Sequence, residues 1–470
     1  MRKINAKNNH AIHYMILGLA WPTMLEQLSQ TAVQYIDTAM VGALGTQATA
    51  AVGATTTVNW LIFSTISALG VGFLSFIAQA CGADDRHNAK RAVSQAVLVV
   101  LAVGIFFTIL TLSLSNKIPV WMHVDKNIQN LAAKYFFILY LPMLPRTASV
   151  IFGTILRAAG DTKTPMKIGL ITNVINIVLN LLFIYKTHTI SFLALHITIP
   201  GAGLGVLGAA FASAAAYTVG GICITIILWR HSVVSPHGQD FALDMDILRT
   251  CMKTAFPNML QRFGTSLGYV FFASMINSLG EISTAAHTIA NTVESAFYIP
   301  GYGMQTAAAT LIGNAYGARD SKRMKELSKV FIPIEIILMV ISGAILFTAA
   351  PLLMRIFSSD DVVISLGAAV LRMVAVSEPF YGFSIIIEGF MMGVGKTKAP
   401  FVFNIAGMWC VRILGTFICT QILGMGFISS WACMIAHNLL LFTLFFIVYK
   451  NEMWNPLRKS ISDRSGLISS

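Results

Sequence analysis

Long runs of apolar residues alternate with short polar segments along the whole chain. A helix needs about 20 mostly apolar residues to cross the hydrocarbon core of a bilayer, and these runs are at least that long. The pattern predicts an all-α integral membrane protein with twelve transmembrane helices. The predicted helices cover residues 14–41, 49–79, 90–114, 128–154, 166–187, 203–229, 250–277, 285–314, 328–350, 364–392, 399–421 and 426–449.

The second half of the chain repeats the first at a shift of 235 residues, which places Pro22 on Pro257 and Gly45 on Gly280. Each copy holds six predicted helices, so both copies have the same orientation in the membrane. Parallel repeats of this kind are related by an axis along the membrane normal. The repeat therefore predicts two six-helix lobes.

The two copies share backbone motifs but differ in charge. Phe272 stands in the second copy where the first has Asp37, and Gln261 stands where the first has Glu26. A carboxylate inside the bilayer costs at least a few kcal/mol, so each such acid is a functional-site candidate.

Polar segments set the predicted domain boundaries. We expect the tail to be disordered, because it is polar and terminal. The predicted units are a cytoplasmic N-terminus at 1–13, an N-lobe at 14–229, a cytoplasmic linker at 230–249, a C-lobe at 250–449 and a cytoplasmic tail at 450–470.

Composition supports the membrane assignment. Hydrophobic residues make up 56% of the chain and charged residues 11%, whereas soluble domains have about 25% charged residues. The net charge of +12 does not indicate nucleic-acid binding, because 23 of the 32 Lys and Arg lie in the termini and the loops on their side. By the positive-inside rule, both termini are predicted to be cytoplasmic, in a multi-pass cell-membrane protein.

Several classes of protein fit the sequence poorly. The chain has no filter segment typical of a channel and no HExxH or P-loop motif, so we predict that it is not an enzyme. Its six cysteines are scattered without metal-ligand spacing and are interpreted as packing residues. Two lobes with parallel repeats are typical of an alternating-access transporter, whose cargo binds between the lobes.

Several motifs resemble those of the MATE (multidrug and toxic compound extrusion) transporters of bacterial type. They occur in order in both halves and are Asp37–Gly42, Ala78–Asp84, Arg157–Pro165, Ala286–Ala290, Ile299–Gly303, Leu311–Asn314 and Gly389–Thr397. The resemblance covers nearly the whole chain. It implies a V-shaped pair of lobes that exports organic, often cationic, amphiphiles in exchange for H+ or Na+.

The resemblance also implies a coupling site in the N-lobe. Asp37 matches the first-helix aspartate that binds the coupling ion, and its partners match Asn176, Asn180 and Ser213. The position of Asn180 is an acid in some members, so this site keeps one carboxylate. That favours H+, while Na+ at Asp37 and Asn180 is the alternative. The simpler interpretation is that Asp37 only holds its helix to Asn180.

Four further acids are predicted to face the cargo cavity: Glu26, Glu294, Glu378 and Glu388. Glu26 has an alternative role as the ionic partner of Arg146 or Arg262. Glu335, near the start of its helix, is predicted to be interfacial. The three membrane arginines, Arg146, Arg262 and Arg412, are predicted to form structural ion pairs.

Aromatic side chains could offer ring faces to a cationic cargo. The candidates are Tyr35, Trp60, Tyr140, Tyr269 and Tyr298. The sequence thus predicts a multidrug antiporter that exports organic cations in exchange for H+ or Na+, with no cofactor, as a monomer in the lipid bilayer.

The main rival is a flippase or exporter of a lipid-linked or metabolite cargo. A cavity for pyrophosphate should be basic, yet the predicted membrane set has five acids against three arginines. A receptor or scaffold would require neither the repeat nor the buried acids. The identity of the cargo and the choice between H+ and Na+ stay open.

Overall fold

The computed structural model describes residues 9–122, 124–192 and 195–458. These residues form α1 (Asn9–Gly42), α2 (Thr46–Gly82), α3 (Arg86–Leu114), α4 (Ile118–Trp121), α5 (Lys126–Tyr140), α6 (Met143–Ala158), α7 (Lys163–Ile184), β1 (Lys186–Phe192), β2 (Leu195–Ala202), α8 (Val206–Arg230), α9 (Met245–Asn277), α10 (Glu281–Gly317), α11 (Ser321–Arg355), α12 (Asp361–Gly393), α13 (Lys398–Ala406), α14 (Leu414–Phe417) and α15 (Phe427–Lys450). Two π-helical segments, Gly407–Ile413 and Ile418–Ile422, join α13 and α14 into one continuous span.

Each of the twelve predicted apolar runs coincides for most of its length with a helix of the structure, and residues 128–154 form the pair α5 and α6, which bend by 51°. The run 166–187 extends past the end of α7 at Ile184 into β1, and the run 203–229 begins before α8. Among the described residues, eight helices are long and apolar enough to cross a membrane, or nine with the bent pair. The three other long helices are α1, α9 and α10. They carry more polar residues than lipid-facing helices do, which suits helices that border a polar site.

The internal repeat extends to the backbone of the turns. Gly45 and Gly280 take φ values of 110° and 106°, and Asp84 and Arg319 take 58° and 53°. Each pair is separated by the repeat shift. These left-handed conformations end one helix and set the direction of the next. Matching turns in the two copies therefore give the following helices matching directions.

The connections differ from the predictions in two places. A two-stranded antiparallel hairpin, β1–β2, replaces the plain loop expected between the fifth and sixth spans. The beginning of the tail is also ordered, which corrects the prediction of disorder there. Trp454 is 2% exposed and packs against Phe390, and Asn455 donates to Ser321 Oγ at 2.9 Å. Residues 459–470 lie outside the described part.

The linker packs against the N-lobe. Arg91 and Asp244 form a salt bridge of 2.5 Å, and Gln95 donates to the carbonyl of Ala242 at 2.8 Å. Val234 is fully buried. Burial of the His231 side chain in this segment lowers its pKa, because water no longer solvates the charged form.

The buried core of each lobe contains the first turns of a helix from the other lobe. Ile12, Ile16 and Ala20 of α1 are buried in the C-lobe cluster, which also contains Met304 and Leu311 of α10. The residues one repeat later, Ile247, Cys251 and Ala255 of α9, are buried in the N-lobe cluster. This reciprocal exchange ties the lobes together at the end of the bundle that holds both chain termini.

Glycines allow the two lobes to touch closely at the same end. A methyl group added to Gly82 of α2 would overlap the carbonyl oxygen of Asn314, and one added to Gly317 of α10 would overlap that of Gln79. Gly82 and Gly317 are one repeat apart. Polar contacts add to the closure, because Ser75 donates to Gly393 O at 3.2 Å and Thr310 to Arg157 O at 3.3 Å.

At the opposite end the facing helices are less covered. Most residues of α1 after Thr31 and of the first turns of α2 are exposed or half-buried. The close backbone contacts between the lobes therefore lie at the end that holds the termini, and the other, less covered end is called the splayed end below.

Replacing Gly82 with Ala should open the closed end, since the added methyl group forces the α2 and α10 backbones apart. Maleimide should then label Cys251, which is 1% exposed, faster in a variant that keeps this cysteine alone. Gly53→Ala, in the same helix with open space around it, is the control. Equal labelling rates in the two variants would contradict this assignment of the closing contact.

Candidate functional site

A polar cluster lies inside the N-lobe, where α1, α7 and α8 meet. Asn180 Nδ2 donates to Asp37 Oδ1 at 2.6 Å. With its amide oriented so that both ends are satisfied, Asn176 donates to the same oxygen at 2.8 Å and accepts from Ser213 Oγ at 3.1 Å. The structure thus brings together all four residues that the sequence singled out for this site.

The sequence explains why these side chains meet. Asn176 and Asn180 are four residues apart and lie on one face of α7, next to α1. Both amides are buried, whereas Asp37 is partly exposed. Among the described residues, no Lys or Arg forms a salt bridge with Asp37. The amides orient the carboxylate without neutralising it, which leaves its charge available to a cation.

Glu26 forms a salt bridge with Arg157 at 2.9 Å, so the predicted pairing with Arg146 or Arg262 is wrong. The side chains are 12% and 17% exposed, and Thr154 accepts a further hydrogen bond from Arg157. The predicted span 128–154 ends before Arg157, because this residue lies at the edge of the apolar run. In the structure it occupies the last turn of α6 and reaches back to α1.

The C-lobe has a corresponding link with different charges. Gln261, the repeat equivalent of Glu26, donates to Glu388 Oε1 at 2.8 Å. Arg262 donates through Nε to Asn258 Oδ1 at 3.0 Å. Glu388 is therefore held by a neutral amide rather than by an acid of the seventh span.

Two further predicted cavity acids are buried. Glu294 in α10 is 6% exposed and Glu378 in α12 is 1% exposed. Glu335 in α11 is fully buried, so its predicted interfacial position is wrong. Its place in the first part of a long helix indicated the interface, but α10 and α12 pack over it and exclude solvent.

The membrane arginines do not form the predicted ion pairs in the part of the chain that the structure describes. Arg146 lies over the Tyr217 ring at 4.7 Å and donates to Asn59 Oδ1 at 2.7 Å. Arg412 lies over Tyr269 at 4.8 Å and also contacts the Phe272 ring. Aromatic rings stabilise a guanidinium in a desolvated site without neutralising it. Neither Tyr217 nor Asn59 was singled out by the sequence.

The aromatic candidates divide into exposed and buried rings. Trp60, Tyr269 and Tyr35 are 54%, 44% and 38% exposed, and Arg412 covers one face of the Tyr269 ring. Tyr35 also bridges the lobes, because its hydroxyl donates to Thr292 O of α10 at 3.1 Å. These three rings border the splayed end.

Two aromatic candidates have their rings engaged. Tyr140 is fully buried, and its ring stacks on Phe136 at 4.2 Å and lies beside Arg146. It therefore does not present the ring face to cargo that the sequence analysis expected. Tyr298 packs edge-on against Tyr302 and Tyr381, each at 5.9 Å.

Among the described residues, no group of three or more His, Cys, Asp or Glu could hold a metal ion. Lone histidines serve as packing groups, as shown by His287, whose ring lies between those of Phe272 and Trp431.

A family model, MatE, matches the chain twice, at residues 22–182 and 257–418. The two matches begin 235 residues apart, at the repeat boundaries, and together cover more than half of the chain. The chain belongs to the MatE family. MatE proteins are membrane transporters and not enzymes.

The MatE relatives match along nearly their whole length. The chain is 24% identical over 446 residues to the probable multidrug resistance protein NorM of Thermotoga maritima, covering 93% of this chain and 92% of that one. It is 23% identical to a multidrug resistance MATE family transporter of the MOP superfamily solved in an outward-facing conformation, with a TM-score of 0.87 and coverage of 97% and 100%.

Another solved structure, of a MOP superfamily transporter from Pyrococcus furiosus, has the same identity, TM-score and coverage. Its authors describe a binding pocket of reverse polarity that suggests a different function. These structures confirm the fold of two six-helix lobes. The polarity of the site in this chain depends on its own residues.

Replacing Glu26 with Gln in this MatE protein should lower its thermal stability, because it leaves the half-buried guanidinium of Arg157 without a counter-charge. Breaking a fully buried pair costs about 3–5 kcal/mol, so this half-buried pair should cost less, whereas replacing both partners is close to neutral. Thermal unfolding in detergent should show a loss in Glu26→Gln that the double variant with Arg157→Met largely restores. Glu281→Gln, at an exposed helix start, is the control. Equal losses in the single and double variants would contradict the coupling.

Proposed function

We propose that this protein is a secondary active multidrug efflux antiporter that exports organic cations in exchange for H+ or Na+. The observation that carries the proposal is Asp37, a half-buried membrane carboxylate held by two amides, without a basic partner among the described residues. A relative named as a multidrug resistance protein and a solved multidrug transporter support the efflux assignment.

The amide of Asn180 allows Asp37 to exist in two states. Its Nδ2 donates to the carboxylate, while its buried Oδ1 has no hydrogen-bond partner. If Asp37 takes up a proton, rotation of the Asn180 amide gives the new O–H an acceptor. The same oxygen could instead contribute a ligand to Na+. In either case the bound ion removes the charge that attracts a cationic cargo.

Exchange follows if the ion and the cargo compete for this charge. From the state splayed away from the termini, ion binding at Asp37 weakens the hold on cargo, which then leaves on that side. Each ligand can shift the lobe equilibrium only through its different affinity for the two states. The reciprocal cores at the closed end are the contacts that must open for the ion to be released to the other side.

We also propose how the protein is oriented in the membrane and how many chains it contains. The positive-inside rule places the termini in the cytoplasm, so the splayed end opens outward across the cell membrane. The exposed rings of Tyr35, Trp60 and Tyr269 suit flat, apolar cations. We propose a single chain that needs no cofactor beyond the coupling ion.

A cargo that carries an anionic group is the second candidate, and it includes the lipid-linked or metabolite exporter. Arg146 and Arg412 lie over aromatic rings without salt bridges in the described residues, and Arg146 Nη1 has no hydrogen-bond partner. Such guanidinium groups can bind carboxylate or phosphate. The acids near the cleft favour a cationic cargo. If anionic amphiphiles inhibited efflux in a transport assay, the anionic cargo would become the preferred candidate.

Asp37→Asn should abolish coupled efflux, because an amide cannot exchange a proton and binds Na+ weakly. Proteoliposomes loaded with ethidium should release the dye under an H+ or a Na+ gradient imposed separately, and the gradient that works identifies the coupling ion. Glu281→Gln is the matched control, as an exposed acid outside the cluster. Undiminished gradient-driven efflux in well-folded Asp37→Asn would remove Asp37 from the mechanism.

A further inference from the structure

Two carboxyl groups that the proposed coupling step does not use are enclosed in the C-lobe. Glu335 of α11 is fully buried, and neither of its carboxyl oxygens has a hydrogen-bond partner among the described residues. Glu378 of α12 is 1% exposed, and its Oε2 also lacks a partner. Neither forms a salt bridge within the described chain.

Both carboxyl groups lie at the interface of α11 with α12. Glu335, Met339 and Gly343 recur every four residues and form one face of α11. An added Cβ at Gly382 of α12 would lie 3.3 Å from Glu335 Oε1, and one at Gly343 would lie 3.7 Å from Glu378 Cβ. Gly343 is two turns beyond Glu335, while Glu378 is one turn from Gly382. The antiparallel helices thus place the two acids about one helical turn, ~5 Å, apart along the interface.

The third wall comes from α10. An added Cβ at Gly301, directly after Pro300, would lie 2.6 Å from Glu335 Oε1, so this carboxyl group packs directly against the α10 backbone. Met339 also contacts Gly301 and fills the remaining space. The enclosure is narrow and is made by side chains and glycine surfaces.

The charges and titratable groups around the pair do not neutralise it. Glu294 of α10 and Glu335 are the two charges that act on Glu378, and both are acidic. The cation of this region, Arg412, attracts Glu294 electrostatically and lies over Tyr269 and Phe272. The other titratable groups on neighbouring elements are Tyr298 and Tyr302 of α10, Tyr381 of α12, Glu388, which Gln261 holds, and His437 of α15.

We infer that Glu335 and Glu378 form a proton-binding carboxyl pair, a second coupling site in the C-lobe that is separate from Asp37. An ionised carboxylate buried without a partner is strongly destabilised, and two neighbouring acids disfavour double ionisation further. Binding a proton removes this cost. A proton, unlike Na+, needs no set of several oxygen ligands, and the walls around Glu335 are Met339 and glycines.

The inference rests on the proposed antiport and extends it. Release of the protons requires the pair to gain water, which happens if α10, α11 and α12 separate at their glycine contacts. Pro300 removes one hydrogen bond from α10 beside this contact, which makes a bend there less costly. Opening of the C-lobe at this point would couple proton release to movement of the lobe, with more than one proton exchanged for each cargo molecule.

Glu335→Gln and Glu378→Gln imitate the protonated acid with little change in volume, so both variants should fold. Infrared spectra of the purified protein, recorded as the pH is raised, should show loss of a protonated-carboxyl band in the wild type. Each variant should lack part of that band. Glu326→Gln, a surface acid in α11 that contacts Lys322, is the control. An unchanged band in Glu335→Gln and Glu378→Gln would overturn the inference, whatever the transport result.

Transport provides the second measurement. In proteoliposomes, the ratio of protons taken up to tetraphenylphosphonium released should fall from two toward one in Glu335→Gln, while Glu326→Gln keeps the wild-type ratio. A ratio unaffected by Glu335→Gln and Glu378→Gln would overturn the second coupling site. Absence of any ion-driven exchange in the wild type would instead contradict the proposed antiport, and the infrared result would still decide whether the pair binds protons.

Discussion

The reciprocal exchange of helix ends between the two lobes is the contact on which the rest of the structure depends. The first turns of α1 complete the core of the C-lobe, and the equivalent turns of α9 complete that of the N-lobe. A hydrophobic core closed in this way cannot open by small steps, since its packing is lost or kept as a unit. Gly82 and Gly317 strengthen the contact by allowing backbone to meet backbone. At the opposite end, the last turns of α1, which carry Asp37, and the first turns of α2 are less covered.

Charged groups inside the membrane need partners, and the kind of partner differs between the two copies of the repeat. Glu26 is neutralised by Arg157, Asp37 is solvated by amides, and Arg412 is covered by aromatic rings. Glu335 has none of these partners in the described structure, which is the observation behind the inferred proton site. Differences in how each charge is compensated thus separate structural pairs from sites that can exchange an ion.

The internal duplication explains why the two lobes share one backbone arrangement but carry different charged residues. Equivalent turns adopt equivalent left-handed conformations, as at Gly45 and Gly280. The equivalent positions 26 and 261 both reach the fourth span of their own repeat, which is α6 in the N-lobe and α12 in the C-lobe. Glu26 meets an arginine there, whereas Gln261 meets Glu388. Backbone geometry was retained because a shifted turn would misplace a whole span. Side-chain charge was free to change wherever a new partner was within reach.

The sequence alone determined the spans, the repeat and the polar face of α7. Apolar length sets a membrane helix, and a four-residue spacing puts Asn176 and Asn180 together, so these features need only local information. The tertiary structure decided the partners of the charges. Arg157 turned out to pair with Glu26, and Glu335 to be enclosed, because α6, α10 and α12 approach them from distant parts of the chain. The order of residues fixes where a charge sits along its helix, but only packing between helices decides whether a counter-charge, an aromatic ring or no group at all stands opposite it.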